Sequence, residues 1–289
     1  MFSDASRTLS RIEHLSTHPQ NYLPPKSLER HVVITRRVFG DGVVFDVSPH
    51  PQSSEAPAVS AGVRAGTRRA VYLHGGCYCF EITTFHWRLI AQLVRDSGVS
   101  ITVPIVPLAP RGTASVVVQG VADLTESLIA DVGASNVSVI GDSSGGGMAL
   151  ATAMMIRRRS GAQLHSTVLI APWLDVSGTD PMLKKIAPTD PWLAVPGTHA
   201  AGALYRAELE ESDWRVSPLF GDFDGLGAIT LVSGTRDIVY ADALRMVPKA
   251  REAGVAVDWV VGEGMVHVYP LLPIAEAVPA REAIVRAIA

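Results

Sequence analysis

Val137-Ser138-Val139-Ile140-Gly141-Asp142-Ser143-Ser144-Gly145-Gly146-Gly147-Met148-Ala149-Leu150 passes from a β-branched tract into a run of small and apolar residues. The first part reads as a buried strand and the last as a helix. Between them stands Gly141-Asp142-Ser143-Ser144-Gly145, a match to Gly-x-Ser-x-Gly. In that pattern a sharp strand-to-helix turn lifts a serine hydroxyl clear of the backbone. Gly141 and Gly145 have no Cβ, so strand and helix can approach closely around Ser143. The helix start aims backbone N–H groups and positive dipole at the place where an oxyanion would form. Small residues are common, so the five-residue match needs a base, an acid and an oxyanion hole from elsewhere in the chain.

On either side, strand and helix patterns alternate. Ala70 to Leu73 reads as a buried strand that runs into His74-Gly75-Gly76-Cys77-Tyr78. Thr84 then caps a helix with Phe85, Leu89, Ile90, Leu93 and Val94 on one face, ending near Gly98. Val99 to Val106 is a strand and Val116 to Val132 a helix. After Ser143 come a helix over Gly146–Arg159 and strands at Val168–Ala171 and Ile229–Val232. A helix over Ala241–Ala253, bent by Pro248, a strand at Val257–Val261 and a helix over Ala275–Ile288 complete the series. Toward the N-terminus, His31–Phe39 and Val43–Val47 flank a Gly40-Asp41-Gly42 turn and predict a hairpin. Met1–Glu29 reads as a helix or two broken by Pro19, Pro24 and Pro25, and Ser48–Gly66 as a surface loop. Asp175–Asp213 breaks the rhythm with many Pro, Gly and Thr residues and one helical piece, Thr198–Glu208. A long irregular insertion of this kind reads as a lid or cap. The pattern predicts an α/β fold: a mostly parallel sheet with helices on both faces.

At 289 residues and 47% hydrophobic, the chain can bury a large core as one α/β domain. Its formal net charge of −3 gives no electrostatic case for nucleic acid or an anionic membrane. Arg157-Arg158-Arg159 is the one tight basic run, and it falls at a helix end, where cations suit the dipole. The two cysteines, Cys77 and Cys79, stand too close in sequence for an unstrained disulfide and are too few for a zinc site. Met1–Ser16 has no signal-peptide core, and no apolar run is long enough to cross a bilayer. The expectation is a soluble, cytoplasmic protein.

A serine hydroxyl is a poor nucleophile at neutral pH and needs a base, which in turn needs an orienting acid. In this architecture the order is serine, acid, histidine, each on a loop after a strand. His165, His199 and His267 follow Ser143, and only His267 also follows the last expected strand. The acid belongs after the preceding strand, where Leu231-Val232-Ser233-Gly234-Thr235-Arg236-Asp237 places Asp237. Asp242 is the rival, but it reads as a helix cap. Asp180 and Asp190 lie in the insertion and are weaker candidates. The oxyanion hole needs backbone N–H groups: Ser144 supplies one, and Gly75-Gly76-Cys77 the others.

With these residues together, the chain resembles the hormone-sensitive-lipase-like α/β-hydrolases, the carboxylesterase and lipase family carrying His-Gly-Gly-Gly and Gly-Asp-Ser-Ala-Gly-Gly. The resemblance runs from about Ala70 to the C-terminus. It takes in Pro107-Leu108-Ala109-Pro110, Ala171-Pro172-Trp173-Leu174-Asp175, Ser217-Pro218-Leu219 and Gly225-Leu226. It implies an eight-stranded sheet in one domain, 1–289, with a cap built from about 1–30 and 175–213. It implies Ser143 as nucleophile, Asp237 as acid and His267 as base, with Gly75, Gly76, Cys77 and Ser144 framing the oxyanion hole. The chain departs from the family pattern in four places. Cys77 replaces the third glycine and puts a Cβ near the hole. Ser144 replaces alanine, Val106-Pro107 replaces tyrosine-arginine, and Asp237-Ile238-Val239 lacks the usual proline.

The implied activity is hydrolysis of short- to medium-chain carboxylic esters through an acyl-serine, with no metal or cofactor. The partner is a small-molecule ester. An amide or lactone hydrolase would use the same triad, and a non-catalytic small-molecule receptor would break it. The family includes monomers and dimers, so a homodimer is one assembly the resemblance allows. Tyr78, Phe80, Trp87, Trp173 and Trp192 are the aromatic residues that could line an acyl site or pack core and cap.

Overall fold

The computed structural model describes residues 2–50 and 68–289. From residue 51 on, the surface loop expected over Ser48–Gly66 lies outside the described residues, while residues 48 and 49 extend the second strand. The first helix, α1 (Ala5–Thr17), is capped by Asp4, whose carboxylate accepts from the Arg7 N–H. A 3-10 turn over Lys26–Arg30 leads into β1 (Val32–Phe39) and β2 (Gly42–Pro49). Then follow β3 (Arg69–Leu73), α2 (Thr84–Ser97), β4 (Ser100–Ile105), α3 (Ala114–Val132) and β5 (Val137–Asp142). The turn at Ser143 opens α4 (Ser144–Ser160), followed by β6 (Ser166–Ile170), a single-turn α5 (Leu183–Ile186) and α6 (Val195–Arg206). The chain ends β7 (Ala228–Arg236), α7 (Tyr240–Glu252), β8 (Val257–Val266) and α8 (Val278–Ile288).

The eight strands form one sheet in the order β1-β2-β4-β3-β5-β6-β7-β8. Strand β2 runs against both its neighbours, β1 and β4, and every other pairing from β4 to β8 is parallel. The expected fold class is therefore met. Both sheet faces are dry, as a parallel sheet requires. In β3, Val71 and Leu73 point into the core under α3, α4 and α7, while Ala70 and Tyr72 point into the core under α2 and α8. Helix α1 packs against α6, and the Phe2 carbonyl accepts from the Gly197 N–H at 2.8 Å. Among the described residues, no helix is long and apolar enough to cross a membrane.

Several boundaries moved from their expected positions. The cap of α2 is Thr83 rather than Thr84, because the His86 ring accepts from the Thr83 N–H at 3.0 Å. Phe85, expected on the buried face of α2, is 44% exposed. Helix α4 starts at Ser144 rather than Gly146, so the turn at Ser143 is one residue wide. Strand β8 runs five residues past Val261, for a reason given below.

Candidate active site

Ser143 sits on the turn between β5 and α4 with φ +54° and ψ −122°, a conformation few side-chain-bearing residues adopt. The strain is held from several sides. The Ser143 N–H donates to the Ile170 carbonyl at 2.9 Å. The Ser143 carbonyl accepts from Gly146, Gly147 and Trp173. The flanking glycines are steric necessities: a Cβ on Gly141 would stand 2.1 Å from the Gly145 carbonyl oxygen, and one on Gly145 2.0 Å from that of Leu73.

His267 follows β8 and Asp237 follows β7. His267 Nε2 lies 2.9 Å from Ser143 Oγ, and His267 Nδ1 lies 2.7 Å from Asp237 Oδ2. Asp237 Oδ1 accepts from the Val239 N–H at 3.1 Å. All three side chains are buried. Burial raises the Asp237 carboxyl above its ordinary value, against the pull of His267. Burial also disfavours the imidazolium, but Asp237, then Asp190 and Asp142, outweigh it and hold His267 above its ordinary value. This constellation can take a proton from a serine hydroxyl and hold it next to a carboxylate.

Asp237 and His267 are level because of a bulge. In the β7–β8 ladder Gly234 pairs with Gly262, but Arg236 pairs with Val266. Two extra residues of β8 are accommodated there, and the Gly264 N–H donates to Thr235 Oγ1 at 2.9 Å. Without the bulge, His267 would stand level with Val239 instead of Asp237. Val268, just after His267, has φ +44°, a strained value for a β-branched side chain.

The turn after β3 faces Ser144. Gly76, Cys77 and Tyr78 have φ of +126°, +51° and +63°. The Gly76 carbonyl accepts from Cys79 and Phe80, and the Tyr78 N–H donates to Ser144 Oγ at 3.2 Å. Among the described residues, nothing accepts from the Gly76, Cys77 or Ser144 N–H. Gly75 behaves differently from expectation. Its N–H already donates to Asp142 Oδ2 at 3.1 Å, so it frames the turn without an amide free for an oxyanion. A Cβ there would stand 2.4 Å from that carboxylate oxygen. The side chain of Cys77, the residue in place of the third glycine, is buried in the core. Burial pushes both thiols up, that of Cys79 to about 12, and both are free.

Asp142, the residue before Ser143, is a buried anchor that sequence reasoning passed over. Its carboxylate accepts from Tyr72 Oη at 2.8 Å, from Gly75 N–H, and from His86 Nε2 at 3.2 Å. Burial opposes its charge, but His86 and Tyr72 outweigh that and hold the carboxyl below its ordinary value. His74 is held neutral by burial and by His86, at about 4. The signal in sequence was an acidic residue at the end of an otherwise apolar strand. Such a group must be paired when buried.

The remaining candidates separate cleanly. Asp242 is not a cap; its Oδ2 accepts from the Leu174 and Asp175 N–H groups at 2.7 and 3.1 Å, away from His267. Asp180 pairs with Arg245 at 3.4 Å. Asp190 touches the residue after Asp237. Tyr78 stacks on Tyr205, with centroids 3.6 Å apart, and leans on Trp173 at 5.3 Å. Phe80 meets Phe2 edge-on at 6.0 Å. Trp87 packs in the opposite core against Phe45, and Trp192 is 46% exposed. Arg158 lies over Trp214 and Arg159 pairs with Asp123 and Glu126, so the basic run is spent on the protein's own surface.

A family model described as alpha/beta hydrolase fold matches residues 70–271. The chain is 32% identical over 203 residues to a triacylglycerol lipase of Mycobacterium tuberculosis, covering 70% of this chain and 42% of that protein. It is 26% identical over 226 residues to an esterase of Acinetobacter venetianus, covering 75% of each. The chain thus spans about two-fifths of the mycobacterial relative's length. In three dimensions it is similar to EstE7, an HSL homologue from a metagenome library, with TM-score 0.79 and 20% identity over 99% of this chain and 92% of that one.

Proposed function

This chain belongs to the family of the alpha/beta hydrolase fold, and from that membership we propose that it hydrolyses carboxylic esters through an acyl-serine intermediate. The resemblance to the hormone-sensitive-lipase-like group read from its motifs is borne out. The observation that carries the activity is the unbroken chain of contacts Ser143 Oγ, His267 Nε2, His267 Nδ1, Asp237 Oδ2 at 2.9 and 2.7 Å.

In the proposed reaction Ser143 Oγ attacks the ester carbonyl carbon while His267 Nε2 takes the hydroxyl proton. Asp237 holds the other ring nitrogen protonated and stabilises the imidazolium. The Gly76, Cys77 and Ser144 N–H groups receive the tetrahedral oxyanion. His267 then gives its proton to the leaving alcohol, and the acyl-serine remains. Water, deprotonated by His267, attacks the acyl carbon and releases the carboxylic acid and free Ser143.

The Tyr78–Tyr205 stack and Trp173 support short acyl groups. The Tyr78 N–H donates to Ser144 Oγ and the Trp173 N–H to the Ser143 carbonyl, and the Tyr78 ring stacks on Tyr205 and leans on Trp173. The 1–30 and 175–213 segments form the proposed cap, with α1 seated on α6. Among the described residues β8 pairs with β7 alone, and its open edge with Val261 is the surface proposed for a homodimer. The reading includes a cytoplasmic location, which cell fractionation tests.

The test is hydrolysis of p-nitrophenyl esters from acetate to palmitate by the wild type and Ser143→Ala. The wild type is expected to favour short chains. The variant is expected to lose about four to six orders of magnitude in kcat while remaining folded. A Ser143→Ala protein as active as the wild type refutes the reading.

A further inference from the structure

Asp190 lies on the segment between β6 and β7, outside the triad, yet its carboxylate makes a bridge. Oδ1 accepts from the Trp192 and Leu193 N–H groups at 2.8 and 2.9 Å, closing the turn that leads into α6. Oδ2 accepts from the Ile238 N–H at 2.9 Å. Ile238 follows Asp237 directly, so the bridge ends one peptide from the acid. A second tie runs beside it: Arg236 Nε donates to the Thr189 carbonyl at 3.3 Å. The loop bearing Asp237 is thus held on both sides of that residue by two adjacent residues of one segment, Thr189 and Asp190.

We propose that Asp190 is a positioning residue for the hydrolysis: it fixes the backbone that aims Asp237 at His267, and so couples the order of the 187–193 segment to the alignment of the triad. The inference rests on the hydrolase reading above. Its physical basis is the reach of the contact. The residue after Asp237 is an isoleucine, whose backbone N–H donates to Asp190; a proline there would have none to give. A carboxylate acceptor is stronger than a neutral one. A catalytic group must be held to within a fraction of an ångström, which a loop alone does not do.

A role through alignment and charge differs measurably from plain structural support. The titratable groups acting on His267 are Asp237 after β7, Asp190 before α6 and Asp142 at the end of β5, all acidic. Each favours the imidazolium. Removing the Asp190 charge therefore lowers the pH at which His267 becomes a free base, and the acid limb of kcat/KM moves down.

The experiment compares Asp190→Ala and Asp190→Asn with the wild type on p-nitrophenyl acetate, reading kcat, KM, the pH profile of kcat/KM and the thermal midpoint. Ser143→Ala serves as the activity blank. Asp190→Ala is expected to lose about tenfold to a hundredfold in kcat with KM changed by less than about threefold. Asp190→Asn keeps the volume and one acceptor oxygen, so it is expected to fold as the wild type. Its loss in kcat is expected to be smaller, and its acid limb is expected to lie at lower pH. Wild-type kcat and an unmoved acid limb in a folded Asp190→Asn, whether or not Asp190→Ala folds, overturn the proposal. So does a loss of kcat that matches the loss of folded protein. An inactive Ser143→Ala beside wild-type Asp190 variants sinks this inference alone. An active Ser143→Ala sinks both.

Discussion

Cys77 carries a side chain at φ +51°, where glycine is the residue of least cost. Its thiol is nevertheless buried in the core, so strain and burial oppose each other at one position. Each amounts to about 1 kcal/mol. Cys77→Gly is therefore expected to leave the unfolding free energy within about 1 kcal/mol of the wild type, measured by urea titration. Gly76 is not exchangeable in this way. Its φ is +126°, and a Cβ would stand 2.4 Å from the Phe80 carbonyl oxygen, whose neighbours brace the turn. Gly76→Ala is expected to displace the proposed oxyanion donors and lower kcat by about a hundredfold or more. The meeting of Ser143, His267 and Asp237 was legible at this scale because chain order and strand ends leave few residues to choose from. Gly75 was not, because nothing in a run of glycines says that the Asp142 carboxylate, 67 residues on, takes its N–H.

At the scale of elements, the strands and helices were legible because their apolar residues keep a period of two or 3.6. The β8 bulge was not. Gly262-Glu263-Gly264 reads as the end of a strand, whereas the ladder absorbs two residues and continues to Val266. Periodicity carries no information about register between strands, and here register is what sets Asp237 beside His267. Asp242 misled for a related reason: it stands in the first turn of α7, but its partners are amides in the loop after β6. Burial first, and Asp175 beside it, raise its carboxyl from 3.8 to about 8. The folded state then holds a proton that the unfolded state has released. Stability contributed at this site falls as pH rises from about 4 toward about 8. Asp242→Asn keeps an acceptor oxygen and has no such proton. Its thermal midpoint, measured relative to the wild type, is expected to climb steadily across that window. A constant difference would place the titration elsewhere.

At the scale of the whole molecule, the two segments of the proposed cap meet where α1 packs on α6, and that join depends on a glycine. A Cβ on Gly197 would stand 2.5 Å from the Phe2 backbone and 2.6 Å from Thr8 Oγ1. Gly197→Val must lift α1 from α6. The expected cost is about 1–3 kcal/mol, seen as a midpoint lowered by several degrees and as faster amide exchange in α1 but not in β5. Unchanged exchange in α1 would mean that the helix is held by other contacts. The Asp142 carboxylate has a consequence on this same scale. It gathers Tyr72 from β3, Gly75 from the turn after it and His86 from α2 around the residue that precedes Ser143. None of these partners is local in sequence. A half-assembled chain has no reason to hold the serine in its strained pose, and a nascent or damaged molecule would be chemically mute. A fluorophosphonate that labels Ser143 would accordingly count finished molecules, and the labelled fraction during refolding would rise with the last tertiary contacts and not with the first collapse.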